Sequence, residues 1–171
     1  MKRKHQKGFT LVELIVSFAV LSILLTAAVA TVSPASKAFL HTINVGRAQM
    51  VGGLLMDKIT NELGAAPEII RVTEGAEGMV QYIDRGGNVV IMKRDPEDTK
   101  LHKLQLHYDD ADATNWFFSD KVYMNNAIEK LEFSEVPDKE NLIQVKLQLK
   151  NTQTGATFGR TRMIQCYAVE Q

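Results

Sequence analysis

KGFTLVELIVSFAVLSILLTAAVATV, residues 7–32, is the stretch on which the reading of the whole chain turns. Nineteen of these residues, Leu14–Val32, carry no charge. At 1.5 Å rise per residue they would span about 28 Å as a helix, close to the ~30 Å hydrocarbon thickness of a bilayer. Val, Ile and Phe are frequent here, but nineteen residues are too many for one strand. In lipid a lone segment must satisfy its own backbone hydrogen bonds, which selects a helix. On its N-terminal side, MKRKHQKG (residues 1–8) holds four Lys/Arg and no acid. That asymmetry predicts a cytoplasmic N-terminus and an exported remainder.

Two simple readings of the segment explain only part of it. A cleaved signal peptide has a shorter apolar region of about 7–15 residues followed by a small-x-small site, which Ala28-Val29-Ala30 imitates. A plain membrane anchor fits the length but leaves Glu13 without a purpose. A carboxylate at the edge of a transmembrane helix costs about 2–3 kcal/mol unless paired, so an acid there is a candidate functional residue.

KGFTLVEL, residues 7–14, resembles the processing motif of type IV prepilins and pseudopilins. The resemblance rests on the short basic leader, the Gly8-Phe9 junction, Thr10-Leu11-Val12, Glu13 and the apolar run together. It implies cleavage between Gly8 and Phe9 by a prepilin peptidase, with the apolar stretch retained and the new Phe9 amine N-methylated. Gly8, lacking a Cβ, lets the backbone lie extended against a protease. The resemblance further implies that Glu13 pairs with the Phe9 amine of a neighbouring subunit in the filament. Such a pair is favourable in a low dielectric only with close geometry, so it reports register. The partners implied are the peptidase, other pilin or pseudopilin subunits, an inner-membrane assembly platform, and lipid before assembly.

The 171-residue chain balances 20 Lys+Arg against 20 Asp+Glu. A 45% hydrophobic composition excludes disorder throughout, and the neutral total argues against a nucleic-acid partner held by positive charge. Without residues 1–8 there remain 16 basic and 20 acidic side chains, a net charge of −4.

Beyond the apolar run, Pro34 removes a backbone donor and predicts a helix kink. Phe39, Leu40, Ile43, Met50, Val51, Leu54, Leu55, Ile59 and Leu63 then recur at spacings of three and four. They predict an amphipathic helix with one face needing a partner, ended by Gly64 and Pro67. Gly46, Gly52 and Gly53 weaken it locally and suggest close packing against a sheet or local flexibility, with a small-residue dimerisation face as the alternative. From Glu68 onward EIIRV, MVQYI, VVIMK, LHKLQLHY, LIQVKLQLK and ATFGRTRMIQCYAV read as strands separated by turns. The expectation is an α+β, pilin-like fold with an antiparallel sheet of about six or seven strands. It divides into a leader (1–8), a transmembrane half-helix (9–33), an amphipathic half-helix (34–65) and a sheet domain (66–171). The pairing of AIEKLEFSEV with ENLIQVKLQLKNTQTG, after a helix ending DKITNELGAAPEI, resembles minor pilins and pseudopilins of the J/W type. A single Cys166 excludes the disulfide of many major pilins, but some major pilins lack it, so a major pilin remains the alternative.

Other candidate sites are weaker. DPEDTK (95–100) and DDADATN (109–115) could bind calcium, but an EF-hand loop begun at Asp110 puts Asn115 where Gly is needed and Lys121 where Glu is needed. Solvated loop acids fit better. His5, His41, His102 and His107 are scattered, and the last two, taken as one strand, fall on opposite faces. Cys166 reads as a small buried hydrophobe. Trp116-Phe117-Phe118 reads as a loop cluster packed on the core, with an exposed contact surface as the alternative. No catalytic group, metal site or cofactor is expected, and the role is assembly. The competing class is an uncleaved membrane anchor carrying an extracytoplasmic binding domain or enzyme.

Overall fold

The computed structural model describes residues 10–75, 78–109, 113–137, 139 and 141–166. Helix α1 covers Leu11–Gly64, and the chain forms two compact units, the first ending at Ile43 and the second beginning at Asn44.

In the first unit the helix carries no charged side chain from Leu14 to Val32, and Leu11, Ile15, Phe18, Ile23 and Val29 are all more than half exposed in the single chain. The hydroxyls embedded in this unit turn back on their own helix. Ser17, Ser22, Thr26, Thr31 and Thr42 donate to the carbonyls of Glu13, Phe18, Ser22, Ala28 and Ala38 at 2.7, 2.8, 2.8, 2.9 and 3.0 Å. No hydroxyl among these five needs water, which suits a segment meant for lipid or a packed helical core. Pro34 lies inside α1.

The second unit is built on two antiparallel sheets. The first is a five-stranded meander of β1 (Glu68–Thr73), β2 (Met79–Ile83), β3 (Val89–Arg94), β4 (Leu104–Tyr108) and β5 (Ala113–Trp116). After the short helix α2 (Asp120–Tyr123) comes a three-stranded meander of β6 (Asn126–Glu135), β7 (Leu142–Asn151) and β8 (Thr157–Gln165). The α+β, pilin-like expectation therefore holds, whereas the one sheet of six or seven strands becomes two sheets with eight strands among the described residues. The division follows α2, where Met124 and Asn125 adopt left-handed φ of 48° and 63°. Buried Asn126 stabilises that reversal by donating to the carbonyls of Tyr123 and Met124 at 3.0 and 3.1 Å. The turn residues thereby gain hydrogen bonds that the sheets do not supply.

Between Asn44 and Gly64, α1 buries Ala48, Val51, Gly52, Leu55, Met56, Ile59 and Leu63. This face differs from the expected one. Phe39, Leu40, Met50 and Leu54 are exposed, and Met56 takes a core place instead. Positions 50 and 54 lie about 100° around the helix from Val51 and Leu55, so similar spacing alone could not exclude them. Facing the helix are alternate residues of the strands: Val80 and Tyr82, Val90 and Met92, Leu104 and Leu106, then Val145, Leu147 and Leu149. In β6 the register shifts between Ile128 and Lys130. This bulge lets Ile128 and Leu131, three apart, both be buried.

Two glycines mark close approaches. A Cβ on Gly52 would lie 2.8 Å from Phe158 Cε1 on β8, and one on Gly78 would lie 2.9 Å from the Leu131 carbonyl oxygen on β6. Close packing against a sheet is thus the role of Gly52. A long-range tie fixes the same helix segment: Arg162 Nη1 donates to Asp57 Oδ1 at 2.8 Å and to Thr60 Oγ1 at 3.0 Å.

Candidate processing and assembly site

Glu13 sits in the first turn of α1. Its Oε2 accepts from the Thr10 backbone N–H and from the Thr10 hydroxyl, both at 2.9 Å, while the Glu13 N–H donates to Thr10 Oγ1 at 3.3 Å. This reciprocal arrangement is a capping box, in which Thr at the N-cap and Glu three residues later satisfy donors that the first helical turn leaves free. The sequence signal, T-x-x-E at Thr10–Glu13, was present but obscured by the stronger motif around it. Glu13 thus has a local role in starting the helix. Its carboxylate stands at the N-terminal end, where the helix dipole favours negative charge.

Immediately after Glu13 the apolar run begins, and α1 contains a window long and apolar enough to cross a membrane by length and composition. Gly8 and Phe9 lie outside the described residues. Pro34 is placed within α1, on the C-terminal side of the apolar run.

Residues 3–29 match the family model described as the prokaryotic N-terminal methylation motif. The match supports a type IV pilin-like prepilin. It spans most of the leader, the Gly8-Phe9 junction, Glu13 and most of the uncharged run, and it implies processing by a prepilin peptidase and assembly with other pilins. Proteins with this motif are structural subunits. No curated protein and no solved structure matches the chain.

Among the described residues no group of three or more His, Cys, Asp or Glu could hold a metal ion. Asp110 and Asp112 lie outside the described residues. Asp95 is buried, and burial opposes its ionisation, but the Trp116 indole N–H, the amides of Glu97 and Asp98 and the nearby Lys103 charge outweigh this. Its carboxyl is consequently held below the usual carboxylate range. Asp98 caps its own turn through the amides of Lys100 and Leu101, both at 3.1 Å.

His102 is not on a strand, contrary to expectation. It precedes β4 with a left-handed φ of 47°. Asp98 nucleates a turn there and accepts no ladder register, so β4 begins only at Leu104. His107, on β4, has Nδ1 3.2 Å from the Thr114 hydroxyl. Cys166 is buried, and burial pushes its thiol up to about 11. A thiol so protonated is a poor nucleophile at neutral pH. Of the aromatic cluster, Phe117 and Phe118 pack partly buried against the core, while Trp116 ends β5 and is 51% exposed.

Proposed function

We propose that the chain is the precursor of a minor pilin or pseudopilin, inserted once through the cytoplasmic membrane with its N-terminus inside. Prepilin peptidase cuts between Gly8 and Phe9, discarding the four cations that hold the N-terminus in the cytosol. The Phe9 amine is then N-methylated. Leu14–Val32 anchors the subunit in lipid before assembly and packs among neighbouring helices afterwards, with Pro34 bending the helix where the apolar run ends. In the filament the Glu13 carboxylate takes a neighbour's Phe9 amine as its counter-ion. The assembly platform in the inner membrane is the partner that lifts the subunit from the bilayer. The work of the chain is assembly into a pilus or pseudopilus, with the sheet unit presented outward.

One observation carries this reading: a single motif match covers the junction, Glu13 and most of the uncharged stretch together. Mass spectrometry of the membrane-extracted protein is expected to find N-methylated Phe9 as the first residue. An intact Met1–Gly8 leader in cells that contain the peptidase would overturn it.

A further inference from the structure

Two surface features of the second unit have no part in its core. The first is Trp116, the chain's single tryptophan, on the edge strand of the five-stranded sheet. Its Nε1–H donates to Asp95 Oδ2 at 2.7 Å, and the Lys103 ammonium lies 5.8 Å from the ring centroid. The indole is therefore exposed and held in one orientation, which lowers the entropy lost when a partner covers it. It stands in an acidic stretch. Residues 95–121 contain seven Asp/Glu against three Lys/Arg, a net of −4, equal to the whole net charge of the chain beyond residue 8.

The second feature is the outer face of the three-stranded sheet. Gly159 on β8 lies opposite Gln148 on β7 and contributes no side chain. The gap is a groove of about 230 Å³ lined by Lys130, Glu132, Lys146, Gln148, Gly159 and Thr161 among others. Lys130 and Lys146 are exposed and form no ion pair among the described residues, unlike Lys150, which bonds Glu129 at 3.3 Å; Glu132, opposite Lys146, puts a single carboxylate in the same groove. A strand glycine of this kind is stabilised when an aromatic ring covers it. Flanking ammonium groups add cation–π attraction to such a ring.

We infer that Trp116 of one copy seats over Gly159 in the groove of a second copy. The acidic surroundings of the tryptophan then meet the lysines that flank the groove, and unlike potentials favour this register over Trp116 against Trp116. The contact is head-to-tail, so each added copy leaves one free tryptophan and one free groove, the arrangement that extends a chain of subunits. It uses only the second unit and does not depend on cleavage at Gly8.

The test uses the full chain in detergent micelles, with Asn115→Cys in one tagged copy and Thr161→Cys in a differently tagged copy. Both positions leave Trp116 and Gly159 intact, and a chain with Cys166 alone is the control. A short bis-maleimide is expected to give a 115–161 product in preference to 115–115 or 161–161. Trp116→Ala, Gly159→Val and the pair Lys130→Glu with Lys146→Glu are each expected to cut its yield at least about tenfold. A thermal melt of every variant separates loss of contact from loss of fold. Absence of the 115–161 product, a dominant 115–115 product, or a yield unchanged by Trp116→Ala overturns the inference. The N-terminal residue of the same samples, read by mass spectrometry, reports processing separately.

Discussion

The two parts of α1 treat apolar side chains in opposite ways. Between Leu11 and Val32 the large ones are exposed all round, whereas Val51, Leu55, Met56, Ile59 and Leu63 are almost completely buried. Polar groups differ in reach, although Thr60 in the second part also bonds the carbonyl of Met56. In the first part Ser17, Ser22 and Thr26 bond carbonyls four residues back. In the second, Asp57 bonds Arg162, 105 residues away. A helix that satisfies itself locally can exchange lipid for neighbouring helices without losing hydrogen bonds. A helix tied to two sheets cannot be moved without unfolding its unit. One element thus combines a transferable half with a fixed half.

The sharpest way to break that comparison is a change whose effect stays in the transferable half. Glu13→Val is expected to leave cleavage at Gly8–Phe9 largely intact and to lower incorporation into filaments by at least about tenfold, the scale of a lost charge pair in a low dielectric. Thr10→Ala, which removes only the hydroxyl of the capping box, is expected to cost far less. Immunoblots of sheared filaments beside whole cells measure both. Wild-type incorporation of Glu13→Val would remove the pairing role and leave only the helix-starting one.

Leu55→Ala tests the fixed half. Leu55 is 1% exposed within the main core, and truncating a buried leucine costs about 2–5 kcal/mol. Urea unfolding followed by near-ultraviolet circular dichroism should show that loss, with the N-terminal mass unchanged. A change in processing without a change in stability would mean that the two halves are not separable as described.

How much of this was readable beforehand depends on range along the chain. The uncharged run and the helix end at Gly64 are signalled by residues within a few positions of one another, and they were legible. Strand β7 alternates strictly, and β2 and β3 are short apolar runs bounded by turn residues, so these were legible too. β5 was not, because ATNW is four residues long and largely polar. The burial of Met56 in place of Met50 and Leu54 has no local signal, since which of several apolar stripes is buried depends on Phe158 and Leu149 coming against Gly52. The Trp116–Asp95 bond joins residues 21 apart through the β3–β4 and β4–β5 connections, and nothing local announces it.

Gly52 sharpens the comparison at a smaller scale. Adding one methyl there places it 2.8 Å from the Phe158 ring, so Gly52→Ala must displace the ring or the strand. Overpacking of this kind costs about 1–3 kcal/mol. Phe158→Leu in the same chain makes room and should recover much of the loss. Gly46→Ala, where nothing lies within 4 Å of the added carbon, should instead be neutral or slightly stabilising, as expected when a helical glycine only adds chain entropy. Equal effects at the two glycines would show that flexibility, and not contact with β8, is what Gly52 supplies.

The smallest effect concerns pH, and it belongs wholly to the second unit. Asp95 has its carboxyl held below the usual value near 3.8 because the Trp116 indole, two amides and Lys103 outweigh the burial that opposes ionisation. A folded-state value below the unfolded one means the unfolded chain binds the proton first as pH falls. The stabilisation is therefore fully present above the unfolded value and is lost as pH drops towards the lower folded one. Trp116 reports its own partner, being the chain's single tryptophan. Its emission should change on acidification below about pH 4, and the Asp95→Asn chain should lack that step while keeping its fold at neutral pH. The uncharged run Leu14–Val32 has no group that titrates in this range, so acid should loosen the Trp116 edge without altering that run.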